Sequence, residues 1–148
     1  MKIMSLFFVL FVSFGMLAQE VNTQKGFAAA GYDVVSYFNG KATKGKSVYT
    51  KTYKGVTYKF SNKENLTRFN SNPSKFEPQY GGYCAYAIAT SEKKVSINPK
   101  SFKIQNGKLY LFEDTVFADT LEKWNEEGPE KLEIKADSNW EKIAMKKN

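Results

Sequence analysis

The chain has one cysteine, Cys84, and no histidine, which limits what can hold a fold of this size together. One cysteine cannot form a disulfide within the chain, and a structural zinc site needs several ligands that are nearly always Cys and His. A chain of 148 residues is nevertheless long enough to bury a hydrophobic core without such cross-links. We therefore expect one domain that is stabilised by its core.

The N-terminus has the pattern of a cleavable signal peptide over residues 1–18. Lys2 precedes an apolar run over residues 6–12, and a softer stretch that ends at Ala18 follows it. A positive start, a short apolar centre and a small-residue end are typical of export, and the run is too short to span a bilayer. We expect cleavage after Ala18, no lipid anchor and no membrane span in the mature chain, and a periplasmic or secreted product. A core helix is the alternative.

Charge is unevenly distributed along the chain. Residues 34–63 contain seven lysines and no acidic residue, whereas residues 113–141 contain ten acidic residues and three lysines. This asymmetry is consistent with a surface for an anionic partner, or with solvated strand edges and helix faces. Because the chain has no nucleic-acid-binding motif and an export signal, we do not expect nucleic acid as the partner.

Turn signals predict an α+β fold of short antiparallel β-hairpins packed with helices. Residues 48–54 and 56–60 flank Gly55 and form one hairpin, and residues 102–105 and 108–112 form another. The second is the stronger prediction, because Asn106 and Gly107 between its strands both tolerate a positive φ. Residues 19–29 are predicted to be a loose lead-in, residues 40–46 a loop, and Asn98-Pro99 a turn.

Capping residues and helical spacing predict the helices. Asp33 can cap a short helix over 34–38, and Ser61 and Glu64 form a capping box for a helix that ends near Asn70. A C-terminal helical pair is expected over 116–126 and 129–144, with Pro129 as a favoured first residue. Their apolar stripes would be Phe117, Leu121 and Trp124, and Leu132, Ala136, Trp140 and Ile143.

Four segments of the chain resemble exported bacterial YHS-domain proteins. They are GYDVVSYF at 31–38, YGGYCAYA at 80–87, GKLYL at 107–111 and ADSNW at 136–140. The resemblance implies a YHS-like domain over residues 31–145 after a lead-in at 19–30, although Val34 stands where the family usually has proline. The broader YHS group is linked to metal handling, and most exported members have no assigned activity, so the resemblance implies a metal-binding or small-ligand module.

Cys84 and Asp33 are the candidate ligands for a metal ion, with copper or zinc as the metals to consider. Copper(I) favours thiolate and thioether ligands, but Met1, Met4 and Met16 would leave with the signal peptide. A dimer that shares two Cys84 thiolates is a better soft-metal site than a monomer, so an oligomer stays open. Cys84 could also act in thiol redox or metal relay, or be a buried, inert thiol.

Tyrosines around the two motif segments predict a small aromatic pocket. Its candidate ligand-binding residues are Asp33, Tyr37, Tyr80, Tyr83, Cys84 and Tyr86, with Tyr32 beside them. The alternative is that the rings are core residues whose hydroxyls bind backbone, and that Asp33 only caps a helix. We expect a non-enzymatic small-ligand or metal-binding module with no assigned catalytic residue; a thiol-based protein acting through Cys84 and a purely structural protein-interaction module are the alternatives.

Overall fold

The computed structural model describes residues 20–146 and confirms the α+β class. Within this range there are four two-stranded antiparallel sheets and five α-helices. The paired strands are β1 Thr23–Gln24 with β2 Phe27–Ala28, β3 Lys46–Tyr53 with β4 Val56–Phe60, β5 Asn98–Gln105 with β6 Lys108–Phe112, and β7 Asp114–Thr115 with β8 Ala118–Asp119. The helices are α1 Lys63–Ser71, α2 Pro73–Phe76, α3 Ala85–Ser91, α4 Thr120–Glu127 and α5 Pro129–Met145.

The predicted signal peptide lies outside the described residues. Between residues 20 and 146, no helix has both the length and the apolar character needed to cross a membrane. The predicted C-terminal pair is present as α4 and α5, and Leu132 and Ala136 of α5 are buried as expected.

Both predicted hairpins are confirmed. In β5–β6 the turn residues Asn106 and Gly107 have φ of 51° and 71°, the left-handed pair that such a two-residue turn requires. The predicted turn at Asn98-Pro99 is wrong, because these residues begin β5. The register shifts between Asn98 and Phe102, and this irregularity accommodates a proline that cannot donate to the ladder.

The capping box predicted at Ser61 and Glu64 is wrong. Helix α1 is capped one residue later by Asn62, whose side chain accepts from the amide of Asn65 at 2.8 Å. Ser61 is instead engaged by a residue far away in sequence, because its hydroxyl donates to Asp33 at 2.6 Å. A charge-assisted hydrogen bond is stronger than the neutral one that the Ser61 hydroxyl would make in the box.

The helix predicted over 116–126 begins later than expected, at Thr120. The β7–β8 hairpin occupies its first residues and places Val116 and Phe117 at an exposed tip, where Phe117 is 94% exposed. Phe117 is therefore not part of the buried face. Asp119 caps α4 by accepting from the amide of Glu122 at 2.9 Å.

The segment expected to be a loose lead-in is folded onto the rest of the domain. Its β1–β2 ladder ends at Ala28, which is buried together with the next residue, Ala29. The backbone amide of Asn22 donates to the carbonyl of Gly81 at 2.8 Å, and its side chain donates to that of Gly82 at 3.1 Å. These bonds attach the start of the described chain to the YGGY segment.

The buried side chains form two clusters. The N-terminal core is built around residues of the first half, with Tyr37, Phe60 and Phe69 fully buried. The C-terminal core is built around Tyr110 and Trp124. Burial of one such large side chain stabilises the fold by about 1.5–3 kcal/mol, so these clusters replace the cross-links that the chain lacks. The N-terminal core includes Cys84 and the C-terminal core includes Ala85, so α3 begins where the two cores meet.

Candidate functional site

Asp33 is fully buried, and its carboxylate accepts five hydrogen bonds. Oδ1 accepts from the amides of Val35 and Ser36 at 2.9 and 3.3 Å. Oδ2 accepts from the amide and hydroxyl of Ser61 at 2.8 and 2.6 Å, and from Nδ2 of Asn65 at 2.7 Å. A carboxylate has about four lone-pair sites, so this group is saturated within the fold. Asp33 does more than cap a helix: it joins the turn at 35–36 to the start of α1.

Cys84 is also fully buried. Its Sγ lies 3.3 Å from Oγ1 of Thr120, whose hydroxyl donates to the carbonyl of Glu113 at 2.7 Å. Because Thr120 has one proton and gives it to Glu113, the thiol of Cys84 is the donor in the contact between them. Asp33 and Cys84 have no hydrogen-bonded partner in common, so the structure does not bring them into one polar site.

The tyrosine hydroxyls of the predicted pocket donate hydrogen bonds to four different residues. Tyr37 donates to the carbonyl of Pro99, Tyr80 to Asp137, Tyr83 to Glu20 and Tyr86 to Glu127, at 2.7, 2.8, 3.0 and 2.7 Å. Burial, followed by the bond to Glu20, raises the pKa of Tyr83 to about 12. Burial also raises the pKa of Tyr37. The predicted residues therefore do not line one pocket, although Tyr80 lines a cleft of its own.

That cleft, here called the Tyr80–Trp140 cleft, has a volume of about 390 Å³. This volume is in the range of small-molecule sites. Three aromatic and four charged residues line it: Tyr58, Tyr80, Trp140, Glu77, Asp137, Glu141 and Lys108. Tyr58 and Tyr80 are 2% and 4% exposed, whereas Trp140 is half-buried, so the indole is the most open of the three rings. The acidic residues outnumber the lysine among the described residues that line the cleft.

The aromatic wall of the cleft is set by contacts between three elements. The rings of Tyr80 and Trp140 lie 6.2 Å apart and are tilted by 64°. Gly81 has a φ of +61°, and a Cβ at this position would collide with the carbonyl oxygen of Glu20 and lie 3.4 Å from the Trp140 ring. The glycine is therefore required for the close approach of these segments. Nε1 of Trp140 is buried without an acceptor among residues 20–146.

The carboxylates give the cleft its electrostatic character. Asp137 accepts from the Tyr80 hydroxyl, and Glu77 lies 3.5 Å from the ammonium of Lys54. Glu141 makes no ion pair with any described residue. Burial, then the bond to Asp137, raises the pKa of Tyr80, so this phenol stays protonated as a donor.

Glu133 lies beside Lys108, the lysine among the described residues that line the cleft. Its carboxylate accepts from Tyr110 at 2.6 Å, from Gln105 at 2.7 Å and from Asn106 at 3.0 Å, and Lys108 lies 3.8 Å away. Burial raises the pKa of Glu133, but these hydrogen bonds and the Lys108 charge outweigh it, so the pKa is lowered. The carboxylate of Glu133 thus partly neutralises the ammonium of Lys108.

Sequence reasoning missed the acidic residues of this site. Glu133, Asp137 and Glu141 are spaced by four residues on α5, which places them on one helix face beside the apolar stripe. That spacing is the signal that could have found them. The aromatic partner Tyr80 comes from a distant segment, and nothing local in the sequence indicates the pairing.

No family model, curated protein or solved structure matches the chain. The YHS resemblance and the export signal therefore stay predictions. Within the described part of the chain, no group of three His, Cys, Asp or Glu side chains is placed to hold a metal ion. The Tyr80–Trp140 cleft is the candidate site on its geometry alone.

Proposed function

We propose that this chain is an exported, YHS-like, non-enzymatic module that binds a small organic cation in the Tyr80–Trp140 cleft. The observation that supports it is the convergence of Tyr80 and Trp140 with three carboxylates on one cleft of small-molecule size. Export and the family relation come from the sequence patterns.

The lining favours an amine or quaternary ammonium group with an apolar body. Indole and phenol faces attract a cation through the ring quadrupole, which contributes about 0.5–2 kcal/mol for each contact. Glu141 provides a carboxylate without an ion pair among the described residues, and Asp137 is held by Tyr80. A metal ion is a poorer occupant, because these carboxylates are not grouped closely enough to coordinate one.

Binding is favoured over catalysis by the state of the polar groups. The raised pKa of Tyr80 keeps its phenol protonated at neutral pH, so it does not serve as a general base. Cys84, the nucleophile that a thiol-based function would use, is sealed in the core. A buried thiol is a structural residue rather than a reactive one. The thiol alternative therefore has less support than ligand binding.

The test is a titration of the protein with benzylammonium, with benzyl alcohol and benzoate as the neutral and anionic analogues, followed by NMR shifts. We expect saturable binding of benzylammonium alone, with affinity lowered about fivefold or more by Glu141→Gln, since the lost charge faces the ligand. The matched control is Glu130→Gln, an exposed acid of α5 outside the cleft. Equal binding of all three compounds, or equal effects of the two variants, would contradict the proposal.

A further inference from the structure

A second cleft, here called the Lys59 cleft, has the opposite charge. It has a volume of about 490 Å³ and lies between the β1–β2 segment, the loop before β3, and β4. Lys25, Lys44 and Lys59 line it, and no acidic residue does. None of the three lysines has an ion-pair partner in the described chain. A concave site with three ammonium groups and no carboxylate attracts an anion.

Lys59 is fixed in position by its packing. Its Nζ lies 4.0 Å from the centre of the Phe27 ring, and its Cδ would be 3.6 Å from a Cβ at Gly31. At Gly45, a Cβ would collide with the backbone of Lys59, so this glycine allows the loop to lie directly on β4. Because the stem is held by these contacts, the ammonium loses little conformational entropy when it binds a ligand.

Tyr32 provides an independent sign of a ligand at this place. It is only 7% exposed and lines the cleft, yet its hydroxyl makes no hydrogen bond with any residue from 20 to 146. The hydroxyl oxygen is not fully enclosed by protein and keeps some contact with solvent. Buried tyrosines usually satisfy this group, as Tyr37, Tyr80 and Tyr110 do. Tyr58, which lines the Tyr80–Trp140 cleft, is the other buried tyrosine whose hydroxyl has no hydrogen bond within residues 20–146.

We propose that the Lys59 cleft binds a small oxyanion with at least two negative charges, such as phosphate or sulfate. Lys25, Lys44 and Lys59 supply charge, and the Tyr32 hydroxyl donates a hydrogen bond. Charge-assisted bonds of this kind are stronger than neutral ones. The site is separate from the Tyr80–Trp140 cleft and shares no lining residue with it, so neither proposal depends on the other.

Calorimetric titration with inorganic pyrophosphate tests this site. We expect one saturable site, with affinity lowered about tenfold or more by Lys59→Met, which keeps the apolar stem, and about threefold by Tyr32→Phe. Lys44→Gln should also lower the affinity, and because Lys44 is exposed it leaves the fold intact. The control is Lys51→Met, which removes an equal charge from β3 on the other face of the hairpin.

The outcomes separate a built site from general attraction to a basic protein. If Lys51→Met weakens pyrophosphate binding as much as Lys59→Met, only net charge is involved and the proposal is wrong. Absence of saturable binding at low ionic strength would also overturn it, since screening is weakest there. Benzylammonium binding should be unchanged in Lys59→Met, so failure at one cleft is distinguishable from failure at the other.

Discussion

Asp33 and Glu133 are both buried carboxylates, and they differ in what holds them. Three of the donors to Asp33 are backbone amides, from Val35, Ser36 and Ser61. The donors to Glu133 are all side chains, contributed by the β5–β6 hairpin. Asp33 is fully buried, whereas Glu133 keeps 8% exposure and borders a cleft.

The difference shows which buried acid is bound to the main chain and which is bound to side chains. Backbone donors fix the path of the main chain, so Asp33 cannot release them without unfolding the turn and the start of α1. The donors to Glu133 are side chains instead, and its carboxylate also lies 3.8 Å from the ammonium of Lys108 at the wall of the Tyr80–Trp140 cleft. Burial of an acid is therefore a poor guide to a site unless its donors are known.

The largest effect is expected for Asp33→Asn. The variant keeps the size of the side chain but turns an amide nitrogen toward hydrogen-bond donors and removes the charge. Loss of one partner in a buried, charged network destabilises a fold by about 3–5 kcal/mol. Urea unfolding followed by circular dichroism measures it.

Asp119→Asn is the matched control for that variant. Asp119 is an exposed cap with one bond, to the amide of Glu122, and asparagine is itself a good cap. Its effect should stay below about 0.5 kcal/mol. If Asp33→Asn destabilises no more than Asp119→Asn, Asp33 is only a cap and the comparison fails.

Glu133→Gln should have a smaller effect, about 2 kcal/mol at neutral pH, because its hydrogen-bond donors are neutral side chains that can rearrange. The lowered pKa also fixes the sign of the pH dependence. A carboxyl that titrates lower when folded stabilises the protein at neutral pH, and this contribution is lost as the pH falls from its ordinary value of 4.5 through the lower folded value.

Urea unfolding at neutral pH and at about pH 3 measures this effect. The wild type should lose more stability on acidification than Glu133→Gln does. Glu130→Gln, an exposed change on the same helix, should follow the wild type. Parallel pH profiles for all three proteins would show that Glu133 is not coupled to folding as described.

The predictable part of this fold is local. Asn106-Gly107 specifies its hairpin because both turn residues adopt a conformation that few others tolerate. Leu132 and Ala136 are buried because helical spacing alone places them on one face. The capping-box prediction at Ser61 was wrong because the hydroxyl of Ser61 binds Asp33, which is 28 residues away in the sequence.

The site was less predictable than the fold for the same reason. The motif tyrosines look like one pocket in the sequence, but their partners are set by tertiary contacts; Tyr80 and Asp137 are 57 residues apart. Cys84 and Asp33 are candidate ligands by residue type, but burial and hydrogen bonding decide whether their side chains can reach a ligand. No local pattern encodes either property.

The two tryptophans differ in whether the indole nitrogen has a hydrogen-bond acceptor. Nε1 of Trp124 donates to Gln105 at 3.1 Å, and Gln105 in turn donates to Glu133. Nε1 of Trp140 has no acceptor among the described residues. Trp124→Phe should therefore destabilise the fold by about 1.5 kcal/mol through the lost bond and volume, and Trp140→Phe by less. Thermal unfolding compares them, and a larger effect for Trp140→Phe would mean that its indole is satisfied.

A smaller effect than that of Trp124→Phe is expected for Cys84→Ala, about 1 kcal/mol, since it removes one buried sulfur and leaves Thr120 bonded to Glu113. Cys84 lies where the two cores meet, and a second measurement tests whether its thiol is reactive there. A thiol reagent should label native protein slowly and unfolded protein quickly, because the sulfur is sealed. Cys84→Ala should also leave binding of benzylammonium and pyrophosphate unchanged. Rapid labelling of the native protein would instead support the thiol-based alternative, since reactivity requires an accessible thiolate.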